Sequence, residues 1–246
     1  MTNMHSSSGV GIGATLIGLG GLWYLLMETL AAVAFPGYSY SHNYISDLGV
    51  PDPGEFQGRA IDSPLATAMN AGFVGQALLV TLGAVMLFWA LPRGRSRGGV
   101  LTLALIHSVG ISLVGLVNGS QRNAEAGLVG FHFGGALLAI IAGNALIVLL
   151  GRKSLDVAAS KSVRRISLGL GILGVASVVI LLVTSFFTGT SFLFDYGTWE
   201  RLSVYTILGG QVLFAGLTIA HERRASTVTT SRGESLHAGP QRTVSK

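Results

Sequence analysis

The sequence predicts an all-α fold: a polytopic transmembrane helix bundle of six spans, with both termini on the cytoplasmic side. Three observations predict it. Of 246 residues, 50% are hydrophobic and only 11% are charged, whereas a soluble domain carries about 25% charged residues. Too few polar side chains remain to coat a water-facing surface. The apolar residues fall in runs of about 20 or more, the length that crosses a hydrocarbon core about 30 Å thick. Finally, the connections between runs alternate between strongly basic and non-basic, as a chain threading back and forth across a membrane requires.

The first run covers 9–35 and is preceded by a short cytoplasmic N-terminus, 1–8. Its end, "LAAVAF", carries the small residues Ala32 and Ala34 in a signal-peptidase-like spacing. No Lys or Arg precedes it, however, and the run exceeds a signal core of about 7–15 residues, so it reads as a retained helix. Further spans follow at 64–91, 99–118, 131–151, 166–188 and 202–220. The 9–220 domain leads into a tail, 221–246, whose Ser, Thr and Arg content marks it as disordered and cytoplasmic.

Charge sets the orientation. All but three of the 16 Lys and Arg lie in the connections 92–98 and 152–165 or in the tail; the exceptions are Arg59, Arg122 and Arg201. The positive-inside rule places those basic segments in the cytoplasm. Most acids gather at the other side: Glu28, Asp47, Asp52, Glu55, Asp62, Glu125, Asp195 and Glu200. The pI near 9.9 therefore reflects orientation in a cell membrane. It does not point to nucleic acid, since no basic patch interleaved with aromatics exists. The absence of cysteine removes disulfides, thiolate metal sites and cysteine nucleophiles. No internal repeat suggests a transporter's inverted halves.

The outer connection 36–63 is long for a loop without regular structure and is broken by Pro36, Pro51 and Pro53. A re-entrant or surface-lying element is expected there. It concentrates His42, Asn43, Ser46 and Asp47 in ten residues, and Asn70, Asn118, Arg122, His132, Glu200 and Arg201 end at the same level of neighbouring helices. Glu28 lies one to two turns inside the first span. A carboxylate at that depth is expensive and should face the bundle with a partner, Arg201 or Arg122. These residues together are the candidate binding site.

The stretches "PGYSYSHNYISDLG" at 36–49, "NAGFVGQ" at 70–76, "VNGS" at 117–120 with His132 downstream, and "WERLSVY" at 199–205 resemble the DUF998 family of bacterial and archaeal membrane proteins. The likeness runs from about 15 to 220. It implies a bundle of six or seven helices and brings no established activity.

Each chemical feature also has a plainer structural role. Ser46 or Asp47 could cap a short helix. His42, His132 and Asp47 could supply three zinc ligands with one position open, although no HxxxH or HExxH spacing fixes such a site. Ser46 with a histidine base would suit a hydrolase, but no GxSxG elbow accompanies it. His107, Gln76, Asn144 and Gln211 share one depth and suit interhelical hydrogen bonds. The GLGILG at 169–174 lies within a span and cannot be a dinucleotide loop, which needs a strand-to-helix turn. Gly9-xxx-Gly13 and Gly130-xxx-Gly134 suit close helix packing.

The leading expectation is a non-catalytic role at the outer site, with membrane lipid headgroups or another membrane protein as ligand. The alternatives are a metal-dependent hydrolase acting on lipid through zinc at His42, His132 and Asp47, and a small-solute or proton-coupled transporter using His107 and Glu28.

Overall fold

A computed structural model describes residues 3–152 and 161–237. Six helices are long and apolar enough to cross a membrane. They are α1 (Asn3–Ala34), α2 (Ala66–Ala90), α3 (Arg95–Leu116), α5 (Val129–Leu150), α6 (Lys161–Val183) and α7 (Tyr196–His237). A short helix, α4 (Gln121–Glu125), lies between α3 and α5. Around the bundle each span touches the next in the order α1, α2, α3, α5, α6, α7 and back to α1, while α5 and α7 also meet across the middle. The six expected spans are therefore present, in a closed ring.

The connection 35–65 is more ordered than a plain loop. It contains a 3₁₀ turn, Ser46–Gly49, and a hairpin of two short strands, β1 (Gly54–Phe56) and β2 (Arg59–Ile61), paired antiparallel with Phe56 opposite Arg59. Gln57 and Gly58 make the tight turn, both with positive φ. Backbone groups that could find no water near a bilayer are thus satisfied locally. Beneath the turn, Ile45 and Leu48 are buried with Tyr24 of α1 and Met69 and Phe73 of α2, which seats the loop on the bundle.

Three features differ from expectation. Helix α7 continues to His237, so residues 221–237, assigned by composition to a disordered tail, are helical. No proline interrupts 196–237, and a polar helix can run on into water. Residues 238–246 lie outside the described residues. Secondly, Gly130 and Gly134 have no neighbour within 4 Å of a would-be Cβ. Close packing of α3 and α5 falls instead to Gly110 and Gly135, each facing the other's backbone carbonyl. The other glycine pair behaves as expected: Gly9 and Gly13 lie against Ala90 and Gly83 of α2. Thirdly, α6 passes at Thr184–Thr188 into a π-helical turn that ends at Gly189 with φ 65°.

The mid-bundle polar groups tie helix to helix, while Gln76 Oε1 and Gln211 Nε2 stay buried without a hydrogen bond among the described residues. His107 Nδ1 meets the Ala139 carbonyl at 2.7 Å and so must carry the proton, leaving Nε2 to accept from the Gln76 amide at 2.9 Å. The same amide lies 3.4 Å from Gln211 Oε1. One histidine thereby joins α2, α3 and α5, with α7 reached through Gln76.

Candidate functional site

Two buried arginines organise the end of the bundle that carries the 35–65 connection. Arg59 reaches from β2 to Asp47, with Nε 2.9 Å from Oδ2 and Nη2 3.0 Å from Oδ1. Asp47 Oδ2 also accepts the backbone N–H of Tyr44 at 3.0 Å. Neither Asp47 nor Ser46 caps the 3₁₀ turn in the forward direction, since the residue before the turn is Ile45 and makes no side-chain cap bond. Asp47 instead closes the turn backwards, and Arg59 compensates its charge.

Arg201 of α7 does the corresponding work one layer deeper. Its Nη1 donates to the carbonyls of Tyr40 at 2.6 Å, Asn43 at 2.8 Å and Gly197 at 3.1 Å, and Nη2 donates to the Tyr38 hydroxyl. Its Nε lies 3.4 Å from Glu28 Oε1, which also accepts from the Tyr205 hydroxyl at 2.9 Å. Glu28 is only 1% exposed, so this pairing is what makes a carboxylate tolerable inside a span. Arg201 is the partner; Arg122 is exposed and pairs with Asp52 at 3.1 Å.

Between these clamps and the helices α5, α6 and α7 lies a cavity of about 570 Å³, within the range of small-molecule sites, about 300–1,000 Å³. It is amphipathic along its length. Its polar wall holds His42, Tyr44, Ser46, Asp47, Arg59, His132 and Glu200. Its far wall is formed by Ala136, Leu137 and Ile140 of α5 with Val178, Leu181 and Leu182 of α6. The π-helical turn brings Ser185 and Gly189 to the rim, a common use of π turns at binding sites. Tyr44 joins rim to loop, its hydroxyl 3.3 Å from Ser185 Oγ. Burial pushes the Tyr44 phenol up from its ordinary value, so the group stays neutral and able to donate.

Two acceptors on this wall are unspent. His132 Nδ1 lies 2.8 Å from the Val117 carbonyl, which fixes the proton there and leaves Nε2 as a lone pair. Glu200 accepts the Ile45 N–H through Oε2. Its other oxygen has no hydrogen bond among the described residues, and no Lys or Arg forms an ion pair with it there.

Of the residues singled out from sequence, the fold gathers His42, Ser46, Asp47, His132 and Glu200 around the cavity. His42 is exposed at its mouth and Ser46 half-buried. Glu28, Asn43 and Arg201 stand behind the wall as supports; Asn43 Oδ1 accepts the Ser39 N–H at 3.0 Å. The rest lie elsewhere. Asn70 donates to the Gly49 carbonyl at 2.9 Å, holding the loop to α2. Asn118, in the turn before α4, accepts twice from the amide of Asn123 in α4, at 2.8 and 3.0 Å. The zinc ligand set does not assemble: Arg59 engages both Asp47 oxygens, and no group of three His, Asp or Glu able to hold a metal occurs among the described residues. Sequence reasoning missed Tyr44, Arg59, Ser185 and the apolar wall. Arg59 carried a signal, being the one cation in the connection 36–63.

Six apolar spans packed in a ring, with ordered non-helical chain at one end, define a multi-pass helical membrane protein. The family model described as "Protein of unknown function (DUF998)" matches residues 18–217, and the chain belongs to that family. No curated protein and no solved structure matches it.

Proposed function

We propose that the protein binds a single amphiphilic, lipid-like molecule in the cavity between α5, α6 and α7. The head would lie among Tyr44, Ser46, His132 and Glu200, and the chain against Ala136, Leu137, Val178 and Leu182. The observation that carries this reading is the amphipathic lining of one cavity, polar at the 35–65 connection and aliphatic below it. The role proposed is binding or presentation of that molecule.

The wall also selects the head. Arg59 is compensated by Asp47 and Arg201 by Glu28, while Glu200 and His132 Nε2 offer acceptors. A head rich in hydrogen-bond donors, hydroxyl or amine, therefore fits better than a bare phosphate. With the basic connections cytoplasmic by the positive-inside rule, the cavity would open at the outer face of the cell membrane.

Two experiments test this. Native mass spectrometry with added amine-headed, sugar-headed and phosphate-only lipids should show selective retention of a donor-rich head, weakened in Glu200→Gln. Equal retention of all three by both proteins would overturn the assignment. Since the chain has no cysteine, His42→Cys gives one label site. An impermeant maleimide should modify it in intact cells, and labelling only after lysis would reverse the orientation.

A further inference from the structure

The seam between α5 and α6 holds a second cavity, at the opposite end from the first. It measures about 710 Å³ and is walled by aliphatic side chains: Leu103 of α3, Ala145 and Val148 of α5, Ile172 and Val175 of α6. The two cavities are separated where Gly174 of α6 abuts the Asn144 amide and the Thr206 hydroxyl, leaving no room for a side chain.

Two polar side chains line this lower space, Asn144 and Arg152. Asn144 is spent inside the bundle. Its amide donates to the Ile140 and Ser203 carbonyls, each at 3.0 Å, and its oxygen accepts from Thr206 at 2.8 Å. Arg152 differs. It is exposed just beyond the end of α5; its backbone N–H donates to the Leu149 carbonyl at 3.1 Å, and its guanidinium has no ion pair among the described residues. Lys161, Arg164 and Arg165, at the start of α6, are exposed as well. The groove thus pairs an aliphatic floor with a cation at its rim that has no acidic partner among the described residues, and further cations begin the helix that forms its other wall.

We infer that this groove binds one anionic phospholipid, its acyl chain along Ala145, Val148 and Val175 and its phosphate at Arg152. Charge complementarity selects this occupant, because basic pockets between transmembrane helices attract anionic headgroups. The groove also opens among side chains that face outward from the bundle, Ile141, Ile172 and Val175 being 47%, 60% and 37% exposed. Acyl chains are the solvent at such a surface. The site is independent of the upper cavity, whose unspent groups are acceptors and suit the opposite head chemistry.

The test is native mass spectrometry of the full chain in detergent, with equimolar phosphatidylglycerol and phosphatidylcholine added. Wild type should retain one phosphatidylglycerol in preference to phosphatidylcholine. Arg152→Gln should weaken that retention about fivefold, while Arg152→Lys keeps most of it. Ala176→Trp, a change at an exposed position of α6 that lines the groove, should abolish it. Ala136→Trp, in the upper cavity, should leave it intact. Equal retention of the two lipids by wild type would overturn the inference. So would retention that ignores Arg152→Gln and Ala176→Trp, or that is lost in Ala136→Trp.

Discussion

The seam between α1 and α2 is closed, and the seam between α5 and α6 is open. Both are built from apolar helices containing several glycines. In the first, Gly13 and Gly83 bring the backbones so close that a Cβ on Gly83 would lie 2.6 Å from the Gly13 carbonyl oxygen. In the second, glycine makes close contact at the waist around Gly171 and Gly174, and cavities of about 570 and 710 Å³ lie on either side. Helix α6 is correspondingly the least enclosed span, 28% buried against 44% for α1 and α2. Hydrophobicity alone therefore does not close a seam in a bilayer. Without a hydrophobic drive between helices, matched small residues and polar bonds decide where they meet, and an unmatched seam is left for another molecule to fill.

Substitutions can break this contrast in graded steps. The largest effect is expected at the clamp that joins α7 to α1 and the 35–65 connection, at Arg201→Met. Removing one partner of a buried pair costs about 3–5 kcal/mol, and here it strands Glu28 and releases the carbonyls of Tyr40 and Asn43. A large fall in melting temperature in detergent, with the 35–65 connection opened to protease, should follow; a wild-type melting curve would contradict the clamp. Next comes Gly83→Val, which overpacks the α1–α2 contact and should cost about 1–3 kcal/mol, read as a smaller fall. The smallest is Gly169→Leu on α6, where nothing lies within 4 Å of a would-be Cβ. It should change stability by no more than about 0.5 kcal/mol. A ranking in which Gly169→Leu hurts more than Gly83→Val would erase the distinction between the seams.

The spans were legible because length and hydropathy are local properties. The Glu28–Arg201 pair was legible for a physical reason too: the cost of a charge at that depth demands a partner. The Asp47–Arg59 pair was not, because it depends on the register of a hairpin that follows from turn geometry and tertiary seating. Spacing also misassigned Gly130 and Gly134, since a small-xxx-small pattern fixes a stripe on a helix without saying which side faces a neighbour. The apolar wall of the upper cavity was invisible for a related reason. Helix α5 is apolar nearly all round, so no polar face marks which aliphatic residues line a space and which face lipid. His132 was found as a residue and missed as geometry. Its value lies in the Val117 carbonyl that sets its tautomer, a contact between the end of α3 and the start of α5.

The central claim is that the open seam at the 35–65 connection is a binding site. Its most direct test compares wild type with Ala136→Trp, both extracted gently from their own membrane and weighed intact by native mass spectrometry. The indole should fill the space between α5 and α6 without disturbing the clamps. A non-covalent mass present on wild type and missing from Ala136→Trp, with melting temperatures alike, is the predicted result. Identical spectra from the two proteins would contradict it.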